Sequence, residues 1–186
     1  GRRALSWTGE HNVLNAWAAI AAADILGIPF VSMQKGLKEF RGTNRRFEYK
    51  GTKNGFTIID DYAHHPTEIR ATLTAAENYP HKEVWCIFQP HTYTRTKALF
   101  DEFVDALSTT DHVILADIYA ARETDTLGVS SEQIAEALKK KGCDAYYLPS
   151  FEKIEEFVLE RCQKGDVLIT MGAGDVVNIG EKLLQD

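Results

Sequence analysis

Four runs in this chain, "EVWCIF", "HVILADI", "AYYL" and "DVLITM", are nearly continuous in apolar residues over the length of a strand, and segments of helical period separate them. A strand that is apolar on both sides of its pleat must be covered on both sides. Such runs alternating with amphipathic helices therefore predict a doubly wound, mostly parallel, Rossmann-like α/β sheet between two helical layers. The helices are legible from their apolar spacing and their ends. One begins near Pro66 and turns Ile69, Leu73 and Ala76 inward; one follows "QPHTYT" and buries Leu99, Phe100, Phe103, Val104 and Leu107. Ser130 with Gln133 forms a capping-box pattern before Ile134 and Leu138, and Ser150 caps a helix carrying Ile154, Phe157 and Val158. The turn "GAGD" then leads from the last strand into the last helix.

The N-terminal part reads differently. From His11 to Leu26 the residues Leu14, Trp17, Ala21 and Ile25 recur at helical spacing, and Gly27 and Pro29 end the pattern. Composition shifts near Phe40, after which "RRFEYKGTKNGFTIID" predicts a β-hairpin turning at Asn54 and Gly55, with Phe47, Tyr49, Phe56 and Ile58 as ladder residues. The expected organisation is a helix and linker over residues 1–40, belonging to a neighbouring domain, and an α/β domain over residues 41–186. The chain opens "GRRALSW" without Met, so a piece of a longer protein is expected. A net charge of -6 with no continuous basic stripe argues against nucleic-acid binding, and no apolar run is long enough to predict a membrane span. The cysteines Cys86, Cys143 and Cys162 lie far apart with no CxxC spacing, which suits a reducing cytoplasm.

In a doubly wound sheet, ligands meet the carboxyl ends of the strands. The polar residues to weigh are thus those directly after strands: Asp60 to His65, Gln89 to Arg95, Asp117 to Glu123 and Gly172 to Asp175. The cluster "DDYAHHPTE" has the residue types of a metal site, with His91 and Asp117 as further ligands of a hydrolase. Adjacent residues of a strand point to opposite faces, however, so at most about half of these groups converge, and a strand end followed by a histidine N-cap is an equally open reading. "GAGD" can receive a phosphate at a helix N-terminus or can simply be a tight turn, and it lacks the following strand that a dinucleotide fingerprint requires. Arg95, in the first turn of its helix, opposes the helix dipole unless it meets an anion. Arg45 and Arg46 read as a charged edge strand, and His11 with Asn12 as a helix N-terminus.

The order of the segments "GEHNVLNAWAAIAAA", "FRGTNRRFE", "IDDYAHHPTEIRATL", "FQPHTYTRTKALFDEF", "ADIYAARE" and "ITMGAGDV" resembles that of the Mur ligases along essentially the whole chain. The double histidine and "QPHTYTRT" are most similar to the member that joins L-alanine to UDP-N-acetylmuramate. The resemblance implies a C-terminal, lid-like domain of an ATP-dependent, cytoplasmic bacterial enzyme of peptidoglycan synthesis. In that chemistry ATP phosphorylates the muramoyl carboxylate and the amine of L-alanine attacks the acyl phosphate. By resemblance His11 and Asn12 lie beside adenine, Asp61 at the ribose, and Arg46 at the phosphates or reacting centre. His64, His65, His91, Thr92 and Arg95 face the incoming amino acid, with Arg46 and His64 nearest the reaction. A muropeptide-recycling ligase of the same family and a stand-alone nucleotide-sensing module are the alternatives.

Two departures qualify the expectation. Thr92 stands where some members carry a second arginine, so carboxylate recognition rests more on Arg95. The loop G-x-x-x-x-G-K-[ST] is absent from the sequence. The resemblance makes residues 1–40 the tail of the central ATPase domain. The rest of that domain, which with the N-terminal domain is a partner in the full enzyme, is expected to supply most of the phosphate cradle and the Mg²⁺ site. No metal ligand is assigned within this chain, and the chain alone is expected to be inactive.

Overall fold

The computed structural model describes the backbone of residues 10–40 and 43–185, with side chains from residue 13 onward. The chain divides into two compact units, residues 1–44 and 45–186. Within the first, α1 (Glu10–Ile25) ends as its sequence predicts. Gly27 takes φ 71°, a left-handed value that glycine adopts without steric cost. Its N–H bonds to Asp24 O at 2.9 Å while Ile28 N–H reaches Ala23 O at 2.9 Å, the paired bonds of a Schellman end. A second helix, α2 (Phe30–Glu39), was not expected from "FVSMQKGLKE", whose polar residues obscure its period; Met33 is the side chain it buries. Leu14 is 63% exposed and Ile25 86%, so the apolar stripe of α1 stays largely in solvent.

The second unit opens with the hairpin β1 (Glu48–Lys53) and β2 (Phe56–Asp61), paired antiparallel. Asn54 and Gly55 sit at φ 50° and 89°, the two positive values that a tight turn of matching twist needs. Arg45, Arg46 and Phe47 lie outside the strand, and Phe47, at φ 46°, is no ladder residue. The remaining elements are α3 (Pro66–Glu77), β3 (Val84–Phe88), α4 (Tyr93–Ala98), α5 (Phe100–Leu107), β4 (His112–Leu115), α6 (Ser131–Lys140), β5 (Asp144–Tyr147), α7 (Phe151–Arg161), β6 (Val167–Met171) and α8 (Val177–Gln185). The single helix expected after "QPHTYT" is broken at Leu99, where φ -115° and ψ 24° leave the helical region, and β4 stops at Leu115 rather than continuing to Ile118. Pro66 opens α3, the Ser130–Gln133 capping box is present in both directions, and Ser150 caps α7.

The sheet has the order β1-β2-β6-β3-β4-β5, parallel throughout except at β1. Alternate residues feed two cores, as the doubly apolar strands require. Ile59, Cys86, Phe88, Leu115 and Ile169 pack with α3, α5 and α6 on one face; Ile58, Ile87, Ile114 and Leu168 pack with α7 and α8 on the other. Each large side chain so buried contributes roughly 1.5–3 kcal/mol. The last strand, β6, inserts between β2 and β3. The segments after β2 and β3 lead to helices on one face, whereas the segment after β6 leads to α8 on the other, so the chain parts on both sides of β6 and leaves its carboxyl end open to a ligand.

At the opposite end of the sheet the His112 ring stacks on Trp85 with centroids 3.9 Å apart. Its Nδ1 lies 2.6 Å from Asp144 Oδ2 and its Nε2 3.0 Å from Glu83 Oε2. Burial lowers the pKa of this ring, but the two carboxylate hydrogen bonds outweigh it and set the value above the ordinary 6.5. A raised folded-state pKa contributes stability that is complete below the unfolded value and is lost as the pH rises through the folded value. His112→Gln should therefore flatten the stability profile above pH 6.5, measured by urea unfolding across pH; an unchanged slope refutes the carboxylate clasp. For the unit boundary, limited proteolysis should remove roughly the first 40 residues and leave a folded α/β core. A core that loses its cooperative thermal transition on trimming rejects that boundary.

Candidate active site

Asp60 and Asp61, at the end of β2, do point to opposite faces. Asp60 is fully buried beside β6: its Oδ1 accepts the Thr170 hydroxyl at 2.7 Å and its Oδ2 accepts Arg45 Nε at 2.8 Å. The Arg45 guanidinium also donates to Gly172 O at 2.7 Å and Gly174 O at 3.2 Å, and lies 4.9 Å over the Tyr62 ring. One side chain thus ties the segment before β1 to the end of β2 and to the turn after β6. Burial pushes the Asp60 carboxyl up, and the Arg45 and Thr170 hydrogen bonds pull it back only in part. Sequence reading took Arg45 for a solvated edge residue; its pairing depends on a contact 15 residues away and on carbonyls 127 and 129 residues away.

Asp61 faces α3. Its Oδ2 accepts Phe47 N–H at 2.7 Å and its Oδ1 accepts Ala63 N–H at 2.8 Å, so this carboxylate holds the turn that presents Arg46. Burial raises its pKa against those bonds and that of Thr72. The Arg46 side chain is 53% exposed, with a loose contact of 3.6 Å to Glu68. His64 closes the same corner: its Nδ1 is 2.9 Å from Tyr62 O, and its backbone N–H donates to Glu68 Oε2 at 3.2 Å. The neighbouring His65 turns away and caps α3, accepting Thr67 N–H at 3.5 Å.

After β3, Gln89 is buried and bridges to the last turn, donating to Asp175 Oδ1 at 2.8 Å and accepting Val176 N–H at 3.2 Å. A Cβ on Gly172 would approach Gln89 O to 2.7 Å, and one on Gly174 would collide with Gln89 Oε1 and the Tyr119 ring. The glycines of "GAGD" are therefore needed for close packing. His91 stacks against Tyr119 at 5.6 Å and lies 6.1 Å from the His64 ring. Burial, followed by the charges of Arg95 and His64, lowers the His91 pKa, with Glu123 opposing. Its Nδ1 is buried without a hydrogen-bond partner, and so is Arg95 Nη1. Thr92 stands at φ 68° and starts α4 without a side-chain cap.

Of the residues picked out in the sequence, His64 and His91 come together with Arg95 beside His91, while Asp61 and Arg46 meet through Phe47. The side chains of His11 and Asn12 lie outside the described residues. Among the described residues no three His, Cys, Asp or Glu side chains are placed to hold a metal ion. Burial pushes the thiols of Cys86 and Cys162 up to about 12, so neither is a nucleophile near neutrality.

The segments after β2, β3 and β6 thus bring guanidinium groups, the His64 and His91 rings and a glycine turn to the carboxyl ends of the strands, the place where doubly wound α/β domains receive their ligands. The chain belongs to the Mur ligase family: residues 45–174 match its Mur ligase, glutamate ligase domain. It is 61% identical over 181 residues to a UDP-N-acetylmuramate–L-alanine ligase of Agathobacter rectalis, covering 97% of this chain and 39% of that protein. Its fold is similar to the crystal structure of UDP-N-acetylmuramate–alanine ligase MurC from Thermotoga maritima, with TM-score 0.79 and 31% identity over 97% of this chain and 38% of that one. A murein peptide ligase from Psychrobacter arcticus is also similar, at TM-score 0.67 and 26% identity, covering 97% of this chain and 37% of that one.

The Arg45–Asp60 pair gives a direct test of this geometry. Arg45→Ala strands a buried carboxylate and should destabilise the fold by about 3 kcal/mol, with Asp60→Asn recovering a good part in the double variant. Denaturant unfolding of the four proteins checks it; additive losses would show that the two side chains act independently.

Proposed function

We propose that this chain is the C-terminal, substrate-closing part of an ATP-dependent bacterial cytoplasmic ligase that joins L-alanine to UDP-N-acetylmuramate. The observation that carries the reading is the pair of unpartnered buried donors or acceptors, Arg95 Nη1 and His91 Nδ1, side by side after β3. A guanidinium without a partner is costly, and an amino-acid carboxylate would complete it with a charge-assisted bond. The His91 ring, whose pKa is lowered by burial and by the adjacent Arg95 cation, suits hydrogen bonding as a neutral imidazole at the same place. His64, whose ring faces His91, borders the same pocket. Similarity favours L-alanine as the amine over a recycled peptide: among solved structures the L-alanine ligase is 31% identical at TM-score 0.79, against 26% at 0.67 for the murein peptide ligase.

ATP supplies the phosphoryl group that activates the muramoyl carboxylate. Arg46, exposed and loosely held by Glu68, fits as the residue of this chain that meets its phosphates, and Asp61 keeps Arg46 in place whether or not it also touches the ribose. His65 and Thr92 border the amino-acid side in this reading, and His11 with Asn12 the adenine. By the same similarity, Mg²⁺ and the phosphate cradle fall mainly to the central domain of the longer enzyme.

Steady-state kinetics of the full-length enzyme, with L-alanine and ATP varied separately, test the reading. Arg95→Ala should lower kcat/KM for L-alanine by the equivalent of about 2–4 kcal/mol while leaving the KM for ATP near its starting value. Arg95→Lys should restore part of it, because an ammonium lacks the planar fork. Loss of ATP affinity with an unchanged L-alanine KM would place Arg95 at the nucleotide and reject the amino-acid site.

A further inference from the structure

The helix that carries Arg95 does not hold itself together. At six residues α4 is shorter than an isolated helix can sustain. Its N-cap, Thr92, sits at φ 68° and makes no side-chain cap bond, which leaves the first N–H groups of the helix without a local acceptor. These are taken by a residue some 30 positions later. Glu123 Oε2 accepts Tyr93 N–H at 2.5 Å and Thr94 N–H at 3.0 Å, and the Thr94 hydroxyl donates to Glu123 Oε1.

The loop after β4 is built to deliver that carboxylate. Thr92 N–H donates to Tyr119 O at 2.9 Å and Tyr119 N–H to Pro90 O at 2.9 Å, so the two strand ends are laced together where the loop begins. Ala121 then takes φ 54°, a left-handed value unfavourable for a residue with a Cβ, and Glu123 N–H closes the turn on Ala120 O at 3.0 Å. Further on, Lys97 Nζ donates to Leu127 O at 3.0 Å and ties the other end of α4 to the same loop. The Thr94 hydroxyl and the two backbone N–H groups hold the Glu123 carboxyl below its ordinary value, so it stays ionised at neutral pH. Because α4 is only six residues long, Arg95 falls in its last turn, so the helix-dipole cost expected from the sequence does not arise and the Glu123 carboxylate acts on the helix start alone.

We infer that Glu123 is a positioning residue for amino-acid recognition: by capping α4 from the neighbouring loop it fixes the direction in which Arg95 presents its unpartnered Nη1 beside His91. The inference rests on the amino-acid reading of Arg95 given above. It assigns to the segment "ADIYAARE" a task separate from any contact with substrate, and it couples the β4 loop to the affinity for the incoming amine.

The test is a double-mutant cycle in the full-length enzyme, read as KM for L-alanine and KM for ATP. Glu123→Gln should raise the L-alanine KM by about tenfold, the scale of losing charge-assisted hydrogen bonds, with the ATP KM unmoved. Glu123→Asp should restore part of it if the shorter carboxylate still reaches the helix end. Thr94→Val, which removes only the hydroxyl bond, should give a smaller rise in the same direction. In an Arg95→Ala background, Glu123→Gln should have little further effect on L-alanine, because Glu123 acts through Arg95. An Arg95→Ala effect on L-alanine with silent Glu123→Gln and Thr94→Val overturns the positioning role alone. Additive losses in the double variant, or a parallel rise in the ATP KM, overturn it too, since they mark a general structural effect. Arg95→Ala without effect on L-alanine overturns this inference together with the reading beneath it.

Discussion

The buried pair of Arg45 and Asp60 organises the carboxyl end of the sheet. A carboxylate with no exposure needs a compensating charge and donors for its oxygens, and Arg45 with Thr170 supplies both. Arg45 Nη2 and Nη1 each donate one further bond, to the carbonyls of Gly172 and Gly174. Because Arg45 directly precedes Arg46, the same interaction sets where an exposed guanidinium can stand. The turn after β6 is held from the other side by Gln89, whose amide reaches Asp175 and whose carbonyl receives Val176 N–H. Three chain segments meeting at β6 are thus locked by two side chains in addition to the backbone bonds of Gly172 N–H to Asp61 O and Gln89 N–H to Met171 O.

The insertion of β6 between β2 and β3 makes this arrangement possible. It brings residues 45, 60, 89 and 172–175 to one end of the sheet although they are spread over most of the domain. The apolar strands need only two covered faces, which many strand orders provide. What this order adds is a parting of the chain at the end of β6, with the polar segments after β2 and β3 on either side of it. At that end Arg45 is paired with Asp60, Arg46 lies against Glu68, and Arg95 stands on the helix that Glu123 caps, a placement of charges that the net value of -6 does not reveal.

Local patterns were legible where a short window contains the whole cause. The Asn54–Gly55 turn, the Gly27 helix end, the Ser130–Gln133 capping box, Pro66 opening α3 and the alternation that sends Ile58 and Ile59 to different cores are all of this kind. The opposite facing of Asp60 and Asp61 followed from strand geometry. Sequence reading failed where a distant partner decides. Arg45 is indistinguishable from Arg46 until Asp60 and the two glycine carbonyls are in place. The break at Leu99 was hidden because apolar spacing continues through it. Likewise α2 escaped notice, its polar composition masking a helix that buries Met33. The resemblance located the relevant strand ends, yet only the contacts show which of their residues are also held within the chain, such as Asp61 by Phe47 and Ala63 and His65 as the cap of α3.

That separation bears on how such a domain works. Most polar groups at the carboxyl end are satisfied within the chain: Asp60, Asp61, Gln89 and Glu123 all have donors or acceptors of their own. Against this background Arg95 Nη1 and His91 Nδ1 stand out, since leaving a buried polar group unsatisfied costs about 1–3 kcal/mol. Such a cost is tolerated only if the surrounding scaffold holds the groups in place, and here the Glu123 cap, the Tyr119 stack and the Thr92 backbone bond all do so. A rigid frame around two incomplete hydrogen-bonding groups favours a ligand that completes both, because the frame need not reorder when the ligand arrives. In the amino-acid reading proposed above, the free energy recovered on completing them is available to binding, and specificity would come from a guanidinium and an imidazole held together rather than from the net charge of the domain.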